Sequence, residues 1–162
     1  MEAIEPDANL SSPGWVVRLI EALQPLSLRA DRLGSTALFA GYRWSDLERI
    51  AALFEDVEVS RGTRLTVQGR ADSRLWLIVE GEALVSADAR PLRVAGHGDA
   101  LGVAGMLYSR ASPETTIALG EMRVLAAGRS AFADLVSDHR IRRRLTAVAG
   151  EQVRSRRLAK LR

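Results

Sequence analysis

Short apolar runs separated by glycine-containing turns fill residues 57–127, and this alternation constrains the fold more than any other feature. Each run is three to five residues long, which is short for a helix but sufficient for a strand. The runs are Val57–Val59, Leu65–Val67, Leu75–Val79, Ala83–Val85, Leu92–Val94, Thr115–Leu119 and Met122–Ala126. Many short strands with regular turn signals predict a β-sandwich, a barrel or a jelly roll.

Helical patterns precede this β-rich segment. Residues 1–11 have the composition of a disordered leader, and Ser12-Pro13 has the pattern of an N-cap followed by proline at the first helical position. We therefore predict a helix that ends at Pro25, followed by a connector over residues 26–37. Ser45 and Glu48 have the spacing of a capping box, which predicts a short helix capped by Ser45.

Helical patterns return after the β-rich segment. Phe132 and Leu135 fall on one side of a helix that starts near Ser130, and a final helix is predicted from about Asp138 to the end. The predicted fold class is α+β, an antiparallel β-roll or jelly roll flanked by N-terminal helices and a C-terminal helix pair. We divide the chain into a leader and N-terminal helix (1–37), the β-roll (38–137) and a basic C-terminal helix (138–162).

Composition limits the compartment and the chemistry. The absence of cysteine excludes disulfides, thiolate metal sites and cysteine nucleophiles. The acidic N-terminus lacks the positive and apolar regions of a signal peptide. The densest apolar run, Leu75–Val79, is far shorter than the roughly 20 residues that a membrane helix needs. We expect a cytoplasmic protein without a membrane span.

Positive charge is concentrated at the C-terminus. Residues 140–162 contain nine Arg or Lys residues and one acidic residue, Glu151, whereas the rest of the chain is net acidic. The candidate contact residues for an acidic partner or a nucleic acid are Arg142, Arg143, Arg144, Arg154, Arg156 and Arg157. A solvated helix whose apolar stripe packs on the roll or on a protein partner is the alternative. No aromatic residues interleave with the arginines, so base stacking has no support.

Signals for catalysis and for metal binding are weak. His97 and His139 lack metal-ligand spacing, and the phosphate-loop and nucleophile-elbow motifs are absent. A pair formed by His97 and Asp99 is interpreted as exposed turn chemistry, and Asp72 and Glu80 as turn and surface carboxylates. We expect no enzymatic activity, no metal and no cofactor.

The order and spacing of these residues resemble the cyclic-nucleotide-binding domain family, which includes catabolite activator proteins, kinase regulatory subunits and gated channels. The resemblance covers about residues 38–160. It is carried by Leu38-Phe39, the helix at 45–54, Arg61-Gly62, Gln68-Gly69, Asp72, Leu75-Trp76, Ile78, Gly81, Gly98-Asp99, Gly102, Arg129 and Phe132. The resemblance implies a β-roll with a phosphate-binding cassette, here residues 98–115. It also implies dimerisation through the last helix.

The cassette departs from the family pattern at the positions that hold the ligand. The resemblance implies a glutamate after the cassette glycine, to accept from the ribose, and an arginine about eleven residues later, to hold the cyclic phosphate. Here Val103 follows Gly102, and Pro113 stands at the arginine position, followed by Glu114 and Thr115. Valine accepts no hydrogen bond, proline lacks a guanidinium group, and a glutamate repels phosphate.

Three functions stay open from these departures. The first is a non-enzymatic regulatory or assembly module that does not bind cAMP in the usual way and meets a protein partner or a second copy through its terminal helices. The second is a sensor of cyclic nucleotides or another small ligand that uses Arg110 in place of the missing arginine. The third is nucleic-acid binding through the basic helix. The family's regulators continue into a helix-turn-helix domain, and we expect none here because the sequence ends at Arg162.

Overall fold

The computed structural model describes residues 17–19 and 26–161. In chain order the elements are β1 (Val17–Leu19), α1 (Leu26–Gly34), a 3₁₀ turn (Ala37–Phe39), α2 (Trp44–Ala51), β2 (Glu55–Val59), β3 (Arg64–Thr66), β4 (Arg74–Glu80), β5 (Ala83–Ala87), β6 (Arg90–Ala95), β7 (Ala100–Leu101), α3 (Val103–Tyr108), β8 (Thr115–Ala118), β9 (Met122–Gly128), α4 (Arg129–Ser137) and α5 (His139–Lys160). The strands pair antiparallel into a five-stranded sheet, β1-β2-β9-β4-β7, and a four-stranded sheet, β3-β8-β5-β6. The predicted α+β roll with flanking helices is confirmed.

Alternation along β4 separates two cores. Leu75 and Leu77 belong to a cluster with the helices, whereas Trp76 and Ile78 belong to a cluster with residues of both sheets. Successive side chains of a strand point to opposite faces, so β4 is buried on both sides. One core therefore fills the roll between the sheets, and the other joins the roll to its helices.

All seven predicted apolar runs lie on strands to within one residue, but the N-terminal prediction is wrong where the structure describes it. Residues 17–19 form β1, which pairs with β2 and satisfies backbone groups of that strand. The leader and the rest of the predicted first helix lie outside the described residues. The predicted connector contains α1, in which the buried Arg29 donates to the backbone oxygen of Ala51 at 3.1 Å.

The short helix is confirmed, but its predicted cap is wrong. Helix α2 begins at Trp44, its N-cap residue is Arg43, and no side chain caps it. Ser45 therefore lies inside the first turn. Asp46 has the stabilising role there, because its carboxylate pairs with Arg49 at 3.0 Å and lies near the helix N-terminus.

The C-terminal helix pair is confirmed, and α5 is anchored at its start. The side chain of Asp138 accepts from the backbone amides of Arg140 and Ile141, and Tyr42 donates its hydroxyl to the same carboxylate at 3.2 Å. Ile141 and Leu145 are buried against the helical core. Helix α5 therefore lies along the roll and reaches the cassette.

Candidate functional site

The roll interior contains a charged side chain that the sequence pattern did not single out. Val85 on β5 pairs with Arg93 on β6 and with Thr116 on β8. Directly paired residues of antiparallel strands project to the same side of the sheet. Val85 is fully buried in the roll core, so Arg93 and Thr116 also project toward the interior.

Arg93 forms a bidentate ion pair with Glu114. Its two Nη groups donate to the two carboxylate oxygens of Glu114 at 3.0 and 3.1 Å. The side chain of Glu114 is 5% exposed and that of Arg93 is 35% exposed. Bidentate guanidinium–carboxylate bonds are among the stronger protein hydrogen bonds, and removal of one partner leaves a buried charge uncompensated. Glu114 therefore neutralises the cation that faces the roll interior.

Neighbouring hydroxyl groups fix the position of Glu114. Thr66 and Ser112 donate to its backbone oxygen at 3.0 and 2.9 Å, respectively. The hydroxyls of Thr66 and Thr116 are 2.8 Å apart. These contacts hold the residue at the start of β8 with its carboxylate directed at Arg93.

The cassette begins with a turn that requires glycine. Gly102 has φ +78°, and a Cβ there would lie 2.6 Å from the backbone oxygen of Arg74. Leu101, before it, packs in the roll core, whereas Val103 and Ala104, after it, pack in the helical core. The first turn of α3 is thus enclosed by the protein's own apolar groups.

Gln152 from α5 forms two hydrogen bonds with backbone groups near the start of α3. Its Oε1 accepts from the backbone amide of Ala104 at 3.2 Å, and its Nε2 donates to the backbone oxygen of Ala100 at 3.0 Å. Gln152 is only 4% exposed. The first amides of a helix lack partners within the helix, so this side chain satisfies a group that a ligand anion would otherwise meet.

Asp72 was interpreted as a turn and surface carboxylate. It is buried against the cassette, so the prediction that it lies on the surface is wrong. A Cβ on residue 105 would collide with its Oδ2, and Oδ2 has no hydrogen-bond partner among the described residues. Burial raises the pKa of Asp72 to about 7, and the charge of Glu114 adds to the rise while a hydrogen bond with Ser112 opposes it. Glu80 is exposed, as predicted.

Three predicted cassette residues shape turns and strands. Gly98 has φ +86° and donates to the backbone oxygen of Ile78 at 2.8 Å. Asp99 accepts from the amide of Gly96 at 2.8 Å. Thr115 accepts from the amide of Gln68 at 2.9 Å. These contacts fix the two ends of the cassette and direct none of the three side chains at Arg93.

His97 forms no pair with Asp99. Its Nδ1 lies 2.7 Å from the backbone oxygen of Val79, and its Nε2 lies 3.3 Å from that of Ser35. These two carbonyl groups raise the pKa of His97. The exposed imidazole therefore joins the β6–β7 turn to the segment after α1.

Arg110 and Pro113 line a cleft of about 620 Å³ between the cassette and α5, which we call the outer cleft. Arg110 is exposed, and Pro113 is buried. Tyr108, Arg156 and Arg157 also line the outer cleft. The structure thus places Arg110 at the junction of the cassette and α5, whereas Arg93 faces the roll interior.

The six candidate arginines of α5 fall into separate groups. Arg154, Arg156 and Arg157 line the outer cleft, and Arg142 and Arg143 are exposed elsewhere on the helix. Arg144 is half-buried: it donates to the backbone oxygen of Leu38 at 2.8 Å and lies 5.4 Å from the ring of Tyr42. Arg144 therefore anchors the helix, and Arg154 pairs with Glu151. The other four have no ion-pair partner among the described residues.

The described residues contain no helix long and apolar enough to cross a membrane. Residues 17–19 and 26–161 also bring together no group of three or more His, Asp or Glu residues that could hold a metal ion.

The model of the cyclic nucleotide-binding domain family matches residues 56–139, which is just over half of the chain. The chain belongs to the cyclic nucleotide-binding domain family. A cyclic nucleotide-binding domain from Methylobacillus flagellatus is 15% identical, with a TM-score of 0.71, over 96% of this chain and 93% of that one. The catabolite activator protein of Thermus thermophilus is 20% identical, with a TM-score of 0.65, over 75% of this chain and 60% of that one.

A cAMP-binding acyltransferase from Mycobacterium smegmatis is 25% identical, with a TM-score of 0.61, and matches 76% of this chain. The match covers only 40% of the acyltransferase, so the likeness concerns the cyclic nucleotide-binding domain. No curated protein sequence matches the chain.

Sequence reasoning missed Arg93 and Gln152 in this cyclic nucleotide-binding domain. Arg93 lies in an apolar run, Leu92–Val94. Successive side chains of a strand point to opposite faces, so this pattern was a signal that Arg93 lies on the opposite face from Leu92 and Val94. Gln152 lies on the predicted final helix, where no local signal marks it as a contact of the cassette. Their partners lie 21 and 48 residues away along the chain, so only the fold shows what they bind.

Proposed function

We propose that the chain is a non-enzymatic regulatory or assembly module whose roll does not receive cAMP in the way usual for its family. The ion pair between Arg93 and Glu114 is the observation that carries the proposal. A phosphodiester would have to displace a carboxylate that already accepts both Nη groups of Arg93.

The energetic argument depends on the burial of Glu114. Without Arg93, its 5% exposed carboxylate would lose its charge partner, at a cost of about 3 kcal/mol or more. If it stayed in place, a phosphate about 4 Å away would face repulsion of about 1–4 kcal/mol. Both routes weaken a micromolar site toward the millimolar range, because about 4 kcal/mol separates the two affinities.

The contact of Gln152 with the cassette supports the same proposal. In this structure the Gln152 side chain of α5 forms hydrogen bonds with the backbone at the start of α3. The position of the last helix on the cassette therefore needs no ligand to fix it. The unused surface of α5 and the N-terminal segment are the parts that we propose for contact with a protein partner or a second copy in the cytoplasm.

Calorimetric titration of the chain with cAMP and with cGMP tests the proposal. We expect no saturable heat below about 1 mM for either nucleotide. Micromolar binding would contradict the proposal, and its loss in Arg110→Ala but not in Arg143→Ala would favour the sensor that uses Arg110. Sedimentation analysis of the same sample measures self-association.

A further inference from the structure

The outer cleft differs from the roll interior because four of its five cations, all except Arg154, are unpaired among the described residues. Arg110 of the cassette and Arg156, Arg157 and Lys160 of α5 line it. None of these four has an ion-pair partner in the part of the chain that the structure describes. The Nε of Arg156 is buried and lacks a hydrogen-bond acceptor among those residues. Several unpaired guanidinium groups suit an anion with several acceptor oxygens.

The cleft wall also has an apolar and aromatic part. Tyr108 is 44% exposed, and Ala104, Ala111 and Val153 line the cleft with it. An exposed aromatic ring near cations provides a stacking surface for a planar ring of a charged ligand. The two parts together suit a ligand that has both a planar ring and several phosphate groups.

Gly150 is a second feature that leaves the outer cleft open. It lies inside α5, where alanine is a better helix former. A Cβ at residue 150 would meet no atom within 4 Å, so packing does not require glycine. Gly150 lines the outer cleft, and the missing side chain leaves room there. The volume of about 620 Å³ lies in the range of small-molecule sites.

We propose that the outer cleft binds a nucleoside polyphosphate. Its phosphates contact Arg110 and Arg157, and its base stacks on Tyr108. Arg110 belongs to the cassette and Arg157 to α5, so the ligand joins the two elements that Gln152 already connects. This site lies outside the roll, and the proposal holds whether or not the roll binds cAMP.

Calorimetric titration of the full chain with ATP in magnesium-free buffer tests the proposal. We expect saturable binding that Arg157→Ala and Arg110→Ala each weaken about tenfold or more, because each removes charge-assisted hydrogen bonds. Arg143→Ala is the matched control, since it removes the same charge from α5 outside the cleft. We expect it to change the affinity by less than about twofold.

A variant that fills the cleft without changing the charge distinguishes binding at a specific site from general attraction to a basic helix. Gly150→Leu keeps every charge and fills the cleft, and we expect it to abolish ATP binding while circular dichroism shows an intact helix. Tyr108→Ala should weaken ATP binding and leave that of inorganic tripolyphosphate unchanged.

Three results would overturn the proposal: no ATP binding at about 1 mM, unimpaired binding by folded Gly150→Leu, or equal losses in Arg143→Ala and Arg157→Ala. Equal losses would instead indicate diffuse attraction of polyanions, including nucleic acid, to α5. Failure here leaves the proposed function untouched, because that proposal is decided by the cAMP titration.

Discussion

The roll interior and the outer cleft differ in whether their arginines form ion pairs. Inside the roll, Arg93 is held by both carboxylate oxygens of Glu114. In the outer cleft, Arg110, Arg156 and Arg157 have no ion-pair partner among the described residues. Each region contains a residue of the cassette, Glu114 in the roll and Arg110 in the outer cleft. We infer from this difference that the pairing of an arginine, more than its presence, decides where an anion can bind.

The strongest way to break this contrast is to remove the cation from the roll. Arg93→Ala leaves the carboxylate of Glu114 buried without a charge partner, and we expect a loss of about 3 kcal/mol or more in the free energy of unfolding. Urea denaturation at neutral pH measures it. Arg123→Ala is the matched control, because its partner Glu58 is 41% exposed and the expected loss is below about 1 kcal/mol. Equal losses in the two variants would show that the interior pair has no special weight.

Asp72 tests whether burial beside the cassette penalises negative charge. Its folded pKa is about 7, above the ordinary value of 3.8 for an aspartate, so between these values the folded state keeps a proton that the unfolded state has lost. Its contribution to stability is therefore complete below pH 3.8 and is lost as the pH rises to about 7. We expect the free energy of unfolding of Asp72→Asn to exceed that of wild type by about 2 kcal/mol at pH 8 and to equal it near pH 4. A gain that does not change with pH would contradict the assigned cause.

The link between the cassette and α5 can be weakened separately. Gln152→Ala removes both hydrogen bonds and leaves the amide of Ala104 and the carbonyl of Ala100 unsatisfied, so we expect a loss of about 1–2 kcal/mol. Hydrogen exchange at the Ala104 amide should accelerate more than exchange in the strands of the roll. Gln152→Glu serves as the companion variant, since it keeps the acceptor but loses the donor. Unchanged exchange at Ala104 in Gln152→Ala would argue that α5 does not hold the cassette.

The smallest expected effect concerns Gly150. Gly150→Ala should raise the free energy of unfolding by about 0.5–1 kcal/mol, because alanine is the better helix former and its Cβ meets no atom. Thermal unfolding checks this increase. A loss of stability would show that the glycine is required by packing, and the room it leaves in the outer cleft would then need no ligand to explain it.

The sequence predicted the fold because alternation and turn glycines are local signals. The runs at Leu75–Val79 and Met122–Ala126 lie on two adjacent interior strands of the larger sheet, and the C-terminal helices formed where apolar spacing predicted them. Strand β1 was missed because its three residues owe their extended conformation to β2. Pairing along a sheet edge is a tertiary effect that a helical spacing of apolar residues does not reveal.

The candidate site was predicted less completely for the same reason. The positions of Gly102, Pro113 and Glu114 were identified in the sequence, and Glu114 was expected only to repel phosphate. Its partner is Arg93, which the cross-strand register of β5, β6 and β8 brings to the same side of the sheet. The turn at residues 88–89 sets the register of β5 and β6, but no local signal specifies that of β5 and β8, so the role of the pair required the structure.

The central claim is that the pair formed by Arg93 and Glu114 closes the roll to a cyclic phosphodiester. NMR titration with cAMP measures this most directly through the Nε–H signal of Arg93 and the amide signal of Ala104. We predict no shift of either signal in the wild-type chain up to about 1 mM cAMP, and saturable shifts in Glu114→Ala, where Arg93 is released. Saturable shifts of both signals in the wild-type chain at micromolar cAMP would contradict the account.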